Sequence, residues 1–160
     1  MGNLPYNVAT PLILRLVETL PEAERLIFMI QDEVADRLTA QPGTKDYGRL
    51  TIMVQYFYQF EKLFEVPPQA FYPIPKVMSA VIACTPRYPL PFVANDFAMF
   101  AQLVKQAFSQ RRKTIANTLK KIVSIEQLQA AGIDPVLRPE QITLEAFIRL
   151  SNLVPSEHFS

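Results

Sequence analysis

Glycine is scarce here: the 160 residues include only Gly2, Gly43, Gly48 and Gly132. None lies in a glycine-rich turn between a strand and a helix, so neither a phosphate-cradling loop nor a dinucleotide fingerprint can be drawn on this sequence. Cysteine is scarcer still. Cys84 is alone, which excludes an internal disulfide and suits a reducing, cytoplasmic setting. The one histidine, His158, sits in a polar tail, leaving no Cys/His metal cluster and no Ser-His-Asp triad; the expectation is no metal. No apolar run approaches the roughly 20 residues of a membrane span, and no basic-then-apolar leader opens the chain, so no membrane association is expected. A net charge of +1 gives no global field for polyanions, and any nucleic-acid surface must be local.

What is present can fold. With 49% hydrophobic and 19% charged residues, the chain can bury a real core, enough for one domain or one and a half small ones. Prolines are plentiful and cluster at 67–75 and 86–91, marking a stiff loop and a linker.

Thr10-Pro11 is a helix start, and Leu12, Ile13, Leu16, Val17 and Leu20 share one face of a helix over 11–20. Leu26–Ile30 is an unbroken apolar run, the pattern of a strand buried on both faces. A short helix follows over 32–40, with Val34, Ala35 and Leu38 inward, and Gln41-Pro42-Gly43 stops it. Residues 47–55 read as another helix with Leu50 and Val54 inward, and 56–66 as a strand. After the proline loop, 76–85 reads as a second strand, giving an antiparallel hairpin at a sheet edge. Beyond Pro86–Pro91 only helical signals remain. Phe97, Phe100, Ala101, Val104, Ala107 and Phe108 form an amphipathic stripe with Asn95 as its cap. Ile115, Leu119 and Ile122 line a shorter helix. Ser124-Ile125-Glu126-Gln127 is a capping box, Gly132 a terminator, and Thr143 the cap of a last helix with Leu144, Phe147 and Ile148. This divides the chain into 1–88 and 89–160.

Two stretches carry chemistry. Asn3-Leu4-Pro5-Tyr6 places an amide oxygen and a backbone carbonyl beside a proline-stiffened turn, two acceptors suited to the hydrogens of an exocyclic amine. Tyr6 adds a flat face on which a flipped base can stack. Alone, the tetrapeptide reads first as an ordinary turn. The second stretch is Val66-Pro67-Pro68-Gln69-Ala70-Phe71-Tyr72-Pro73-Ile74-Pro75-Lys76-Val77-Met78-Ser79-Ala80-Val81. Lys105 to Lys121 holds Lys105, Arg111, Arg112, Lys113, Lys120 and Lys121 and no acid; a solvated surface and an RNA-backbone contact are both open for it.

Together, the two stretches resemble the signatures of the KsgA/Dim family of ribosomal RNA small-subunit adenine N6-dimethyltransferases. The likeness continues through Gln110-Arg111-Arg112-Lys113-Thr114 and Gly132-Ile133-Asp134-Pro135 to Arg138-Pro139-Glu140. It implies an α/β fold: the C-terminal part of a class I, Rossmann-like methyltransferase sheet over 1–88, followed by a small all-α RNA-binding domain over 89–160. The implied activity is methyl transfer from S-adenosylmethionine to N6 of two adjacent adenosines near the 3′ end of small-subunit ribosomal RNA, with a role in ribosome biogenesis. On the family pattern Asn3 accepts from the target amine and borders the cofactor, Leu4 acts through its carbonyl, and Pro5 fixes the turn. Tyr6 and Phe71 then cover the adenine from its two sides. Lys76, Lys105, Arg111, Arg112, Lys113 and Lys120 are the candidate RNA contacts. The cofactor-binding turn of the family has no counterpart in these residues, so the chain alone is expected to be inactive, and an uncovered sheet offers a route to self-association. Two other readings are carried: an Erm-type large-subunit methyltransferase, against which Glu65-Val66-Pro67-Pro68 and Gly132–Glu140 weigh, and a noncatalytic RNA-binding or ribosome-assembly module.

Overall fold

The computed structural model describes residues 3–4, 25–87 and 90–155. The helix expected over 11–20 lies outside them. The chain divides into two compact units, one of residues 1–40 and 53–91, the other of 41–52 and 92–160.

The first unit is built on a four-stranded sheet. Its strands are β1 (Asn3–Leu4), β2 (Leu26–Gln31), β3 (Tyr58–Val66) and β4 (Ser79–Pro86), in the order β1-β2-β4-β3. β1 runs parallel to β2, while β4 is antiparallel to both β2 and β3. The hairpin expected from the sequence is present, with β3 at the edge and β4 inside. Burial on both faces belongs to β4, where every residue from Ser79 to Cys84 is buried. It does not belong to β2, as the apolar run Leu26–Ile30 had suggested. Ile30 is fully buried, but alternation turns Ile27 the other way and leaves it 44% exposed.

β4 starts at Ser79 rather than at Lys76, because Pro73 and Pro75 withhold ladder donors and Lys76–Val77 form a bend. Helix α1 (Asp32–Thr39) follows β2 directly; Asp32 and Glu33 occupy its first turn, where carboxylates suit the helix dipole. It buries Val34, Ala35 and Leu38 and lies against β2, β3 and β4. Lys62 of β3 pins it there, with Nζ 2.7 Å from Asp32 Oδ1 and 2.6 Å from Asp36 Oδ1. Burial opposes the ammonium charge, but the hydrogen bonds to Asp32 and Asp36 outweigh it and hold Lys62 above the ordinary lysine range. Cys84 is buried in β4, and that burial pushes its thiol up to about 12, which makes it an inert core residue.

Helix α2 (Arg49–Gln55) crosses the division between the units. The second unit is otherwise helical: α3 (Phe97–Ala107), α4 (Ile115–Thr118), α5 (Ile125–Ala130) and α6 (Leu144–Leu153). α3 buries Met99, Phe100, Leu103, Val104 and Ala107, whereas Phe97 of the expected stripe is 38% exposed. Its cap is Asp96, whose Oδ1 accepts from Met99 N at 3.2 Å. Asn95, the expected cap, is engaged elsewhere through its backbone N–H, which donates to Asn152 Oδ1 at 2.8 Å. The Ser124 box is closed in both directions: Gln127 N donates to Ser124 Oγ at 3.1 Å and Ser124 N to Gln127 Oε1 at 2.8 Å. Gly132, at φ +79°, ends α5, with Ile133 N donating to Leu128 O and Gly132 N to Gln129 O. Thr143 caps α6, its hydroxyl accepting from Ala146 N.

Residues 41–52, counted with the sheet in the sequence division at 88/89, group with the helical unit. Tyr47 explains this. Its ring, 1% exposed, packs 6.5 Å from Phe108, and its hydroxyl donates to Ile142 O at 2.6 Å. Burial holds the phenol above the ordinary tyrosine range, so it stays a donor. Tyr47→Phe leaves a buried carbonyl unpaired and is expected to cost about 1–2 kcal/mol in chemical denaturation. A loss below about 0.3 kcal/mol would contradict this assignment.

Candidate functional site

Strand register decides which predicted residues meet. Leu4 pairs with Ile30, Ile30 with Ala80, and Ala80 with Glu65, one row across all four strands. β1, β2 and β3 therefore end, and β4 begins, at the same end of the sheet. Asp32 N closes that end by donating to Met78 O at 2.9 Å. The loop carrying Phe71 leaves β3 immediately beyond the row that contains Leu4. Asn3 and Leu4 are placed by this register; Pro5 and Tyr6 lie outside the described residues.

The loop itself is stiff. Pro67 and Pro68 lead into a single 3₁₀ turn, Pro68–Ala70, and Phe71 N donates back to Pro68 O at 3.2 Å. Phe71 is half-buried at the C-cap of that turn, whereas Tyr72 beyond it is 99% exposed. Fixed φ angles at Pro67, Pro68, Pro73 and Pro75 limit what the loop loses on ordering. Lys76 is exposed in the same loop.

The basic segment is not one helical face. Lys105 lies in the last turn of α3, but Arg112 and Lys113 stand on the turn between α3 and α4, not on a helix. Arg111 is committed elsewhere. Its Nη2 donates to Tyr47 O at 2.8 Å and Lys45 O at 3.2 Å, and its guanidinium stands 5.8 Å over the Phe108 ring. Gly48 makes room for it: a Cβ there would sit 3.3 Å from Arg111 Nη1. Arg111 thus braces the 41–52 segment, a role invisible in sequence because the partners lie more than sixty residues away. Lys120 is exposed on the turn after α4 beside Lys121. Both line a groove with Gln106, Gln110 and Asn117, none of which the sequence reading offered as an RNA contact, although Gln110 opens one of its motifs. Their signal was present as polar side chains inside the acid-free span.

Among the described residues no group of three or more His, Cys, Asp or Glu is placed to hold a metal ion, and no helix is long and apolar enough to cross a membrane.

The fold places the chain among class I methyltransferases. It superimposes on a dimethyladenosine transferase from Plasmodium falciparum with a TM-score of 0.79 at 26% identity, covering 92% of this chain and 63% of that one. The 23S rRNA methyltransferase ErmE shares the fold at a TM-score of 0.71 and 24% identity, over 94% of this chain and 62% of its own. The family can be stated more narrowly. The sequence model of the ribosomal RNA adenine dimethylase family matches residues 1–155, and this chain belongs to that family. It is 53% identical over 152 residues to the ribosomal RNA small subunit methyltransferase A of Pseudomonas aeruginosa, and 46% identical over 157 residues to the protein of that name from Aliivibrio fischeri. These matches take in 95% and 98% of the chain but only 57% and 58% of the relatives, so the chain spans little more than half of their length.

Arg111→Gln is expected to destabilise the helical unit by about 1–3 kcal/mol, since two carbonyls lose a charged donor. The salt slope of RNA binding should not move. A stable variant with a flatter slope would return Arg111 to the RNA surface.

Proposed function

We propose that this chain serves in the N6-dimethylation of two adjacent adenosines near the 3′ end of small-subunit ribosomal RNA, and so in assembly of the small ribosomal subunit in the cytoplasm. The observation that carries this is the 53% identity over 95% of the chain to a ribosomal RNA small subunit methyltransferase A. On this reading the four strands are the C-terminal part of a class I sheet, which agrees with the antiparallel pairing of β4 on both sides.

Asn3 and the Leu4 carbonyl then accept the two hydrogens of the adenine amine, freeing its nitrogen to act as nucleophile. Pro5 sets the bend, and Tyr6 and Phe71 hold the base between two aromatic faces. The register supports their meeting: β1 ends in the row from which the Phe71 loop departs. Lys76, Lys105, Arg112, Lys113 and Lys120 contact RNA phosphates, which gives affinity and alignment rather than base choice.

In this family the methyl donor is S-adenosylmethionine, a source of an electrophilic sulfonium methyl group. None of the three described glycines lies in a glycine-rich turn between a strand and a helix. Gly43 (φ +91°) and Gly132 (φ +79°) sit in turns that follow helices, and Gly48 is closed over by Arg111. Asn3 borders the cofactor at most, and the isolated chain is inactive.

Within the complete methyltransferase, Tyr6→Ala or Phe71→Ala should lower methyl transfer to RNA by roughly 5- to 150-fold, the equivalent of about 1–3 kcal/mol of base stacking. Calorimetry should show S-adenosylmethionine affinity unchanged by either substitution, and no binding heat for the 160-residue chain alone. Undiminished transfer, or a collapse of cofactor binding, would overturn the stacking assignment.

A further inference from the structure

We infer that the groove between the end of α3 and the turn after α4 is a ribose-selective seat for the RNA backbone. Two lysines there hold phosphates, and side-chain amides read the 2′-hydroxyl. This rests on RNA as the partner class, but not on methyl transfer. The groove, about 470 Å³, is lined on one wall by Gln106, Ser109 and Gln110 and on the other by Asn117, Lys120 and Lys121. Its walls are joined before any ligand arrives. Gln106 Nε2 donates to Thr118 O at 3.3 Å, and Ser109 Oγ donates to Gln106 O at 2.6 Å.

The charged residues that line the groove are of one sign. From Phe97 to Ile125 the chain has no Asp or Glu. Among the described residues neither Lys120 nor Lys121 has a carboxylate within ion-pair distance, whereas Lys62, Arg37 and Arg149 all do. Two unpaired ammonium groups seek an anion. The neighbouring side chains add a second requirement. Gln110 and Asn117 each carry a carbonyl oxygen beside their NH₂, so they accept as well as donate. A phosphate needs only donors. A ribonucleotide backbone presents phosphate acceptors and a 2′-hydroxyl that both donates and accepts, and that hydroxyl is what separates RNA from DNA at a protein surface.

The test titrates the 160-residue chain against fluorescein-labelled single-stranded RNA and DNA of one sequence, by anisotropy over a range of salt. Replacing Lys120 and Lys121 by Gln should flatten the log–log salt slope by about 1.4 for RNA, two phosphate contacts at roughly 0.7 each. Replacing both by Arg should keep the slope. Gln110→Ala combined with Asn117→Ala should weaken RNA binding about fivefold or more, one hydrogen bond or two, and DNA binding less than about twofold. An unchanged slope in the Gln variant would overturn the proposal, as would equal losses on RNA and DNA. So would strong competition by inorganic phosphate at matched ionic strength, which would assign the groove to a small anion. The readout is binding without cofactor, so failure of methyl transfer by the complete methyltransferase, with ribose discrimination of this chain intact, would sink the enzymatic proposal alone.

Discussion

β4 is the strand on which the first unit depends. Its Ser79–Cys84 stretch is buried throughout, and it exchanges backbone hydrogen bonds with β2 on one edge and β3 on the other. Small residues, Ser79, Ala80 and Ala83, let both faces be covered. Because side chains alternate with a period of two, a one-residue slip against either neighbour would turn buried positions outward. β3 departs once from regular pairing with β4. Lys62 pairs with Ile82 and Phe64 with Val81, so Leu63 is extra, a bulge that bends the edge strand. From this register follows the row Leu4–Ile30–Ala80–Glu65, which brings the end of β1 and the start of the Phe71 loop to one end of the sheet.

The second unit relies on a different device. An aromatic set, half-buried Phe108 against buried Tyr47 and buried Phe147, holds together segments far apart in the chain. Arg111 lies over Phe108 and takes two carbonyls of the 41–52 segment. One cation in a basic run is thereby spent on folding, and its neighbours Arg112 and Lys113 are left on an exposed turn.

Local signals were legible wherever the cause is local. Ser124 and Gln127 satisfy each other's backbone donors within one turn, Thr143 caps the helix it precedes, and Gly132 alone can take the positive φ that ends α5. The run Leu26–Ile30 announced a strand, but not which faces its neighbours would cover; that depends on pairing with Ala80–Cys84, fifty or more residues later. Asn95 and Asp96 are both good caps, and only the reach of Asn152 to the Asn95 N–H decides between them. The structural roles of Arg111, Tyr47 and Lys62 went unread for the same reason: their partners are fixed by tertiary structure. Of the site, the residue types of Asn3-Leu4-Pro5-Tyr6 and the proline loop could be read directly. That Asn3 and Leu4 lie at the end of the sheet from which the proline loop departs required the strand register.

That convergence is the central physical claim: β4 sets a register that gathers one strand end and one proline-stiffened loop around a single extruded adenine. Photocrosslinking measures it directly. A short RNA bearing one 8-azidoadenosine is bound to the protein and irradiated, and the modified peptides are mapped by mass spectrometry. The account predicts adducts on both the Asn3–Tyr6 stretch and the loop that contains Phe71. Adducts confined to other parts of the chain would contradict it.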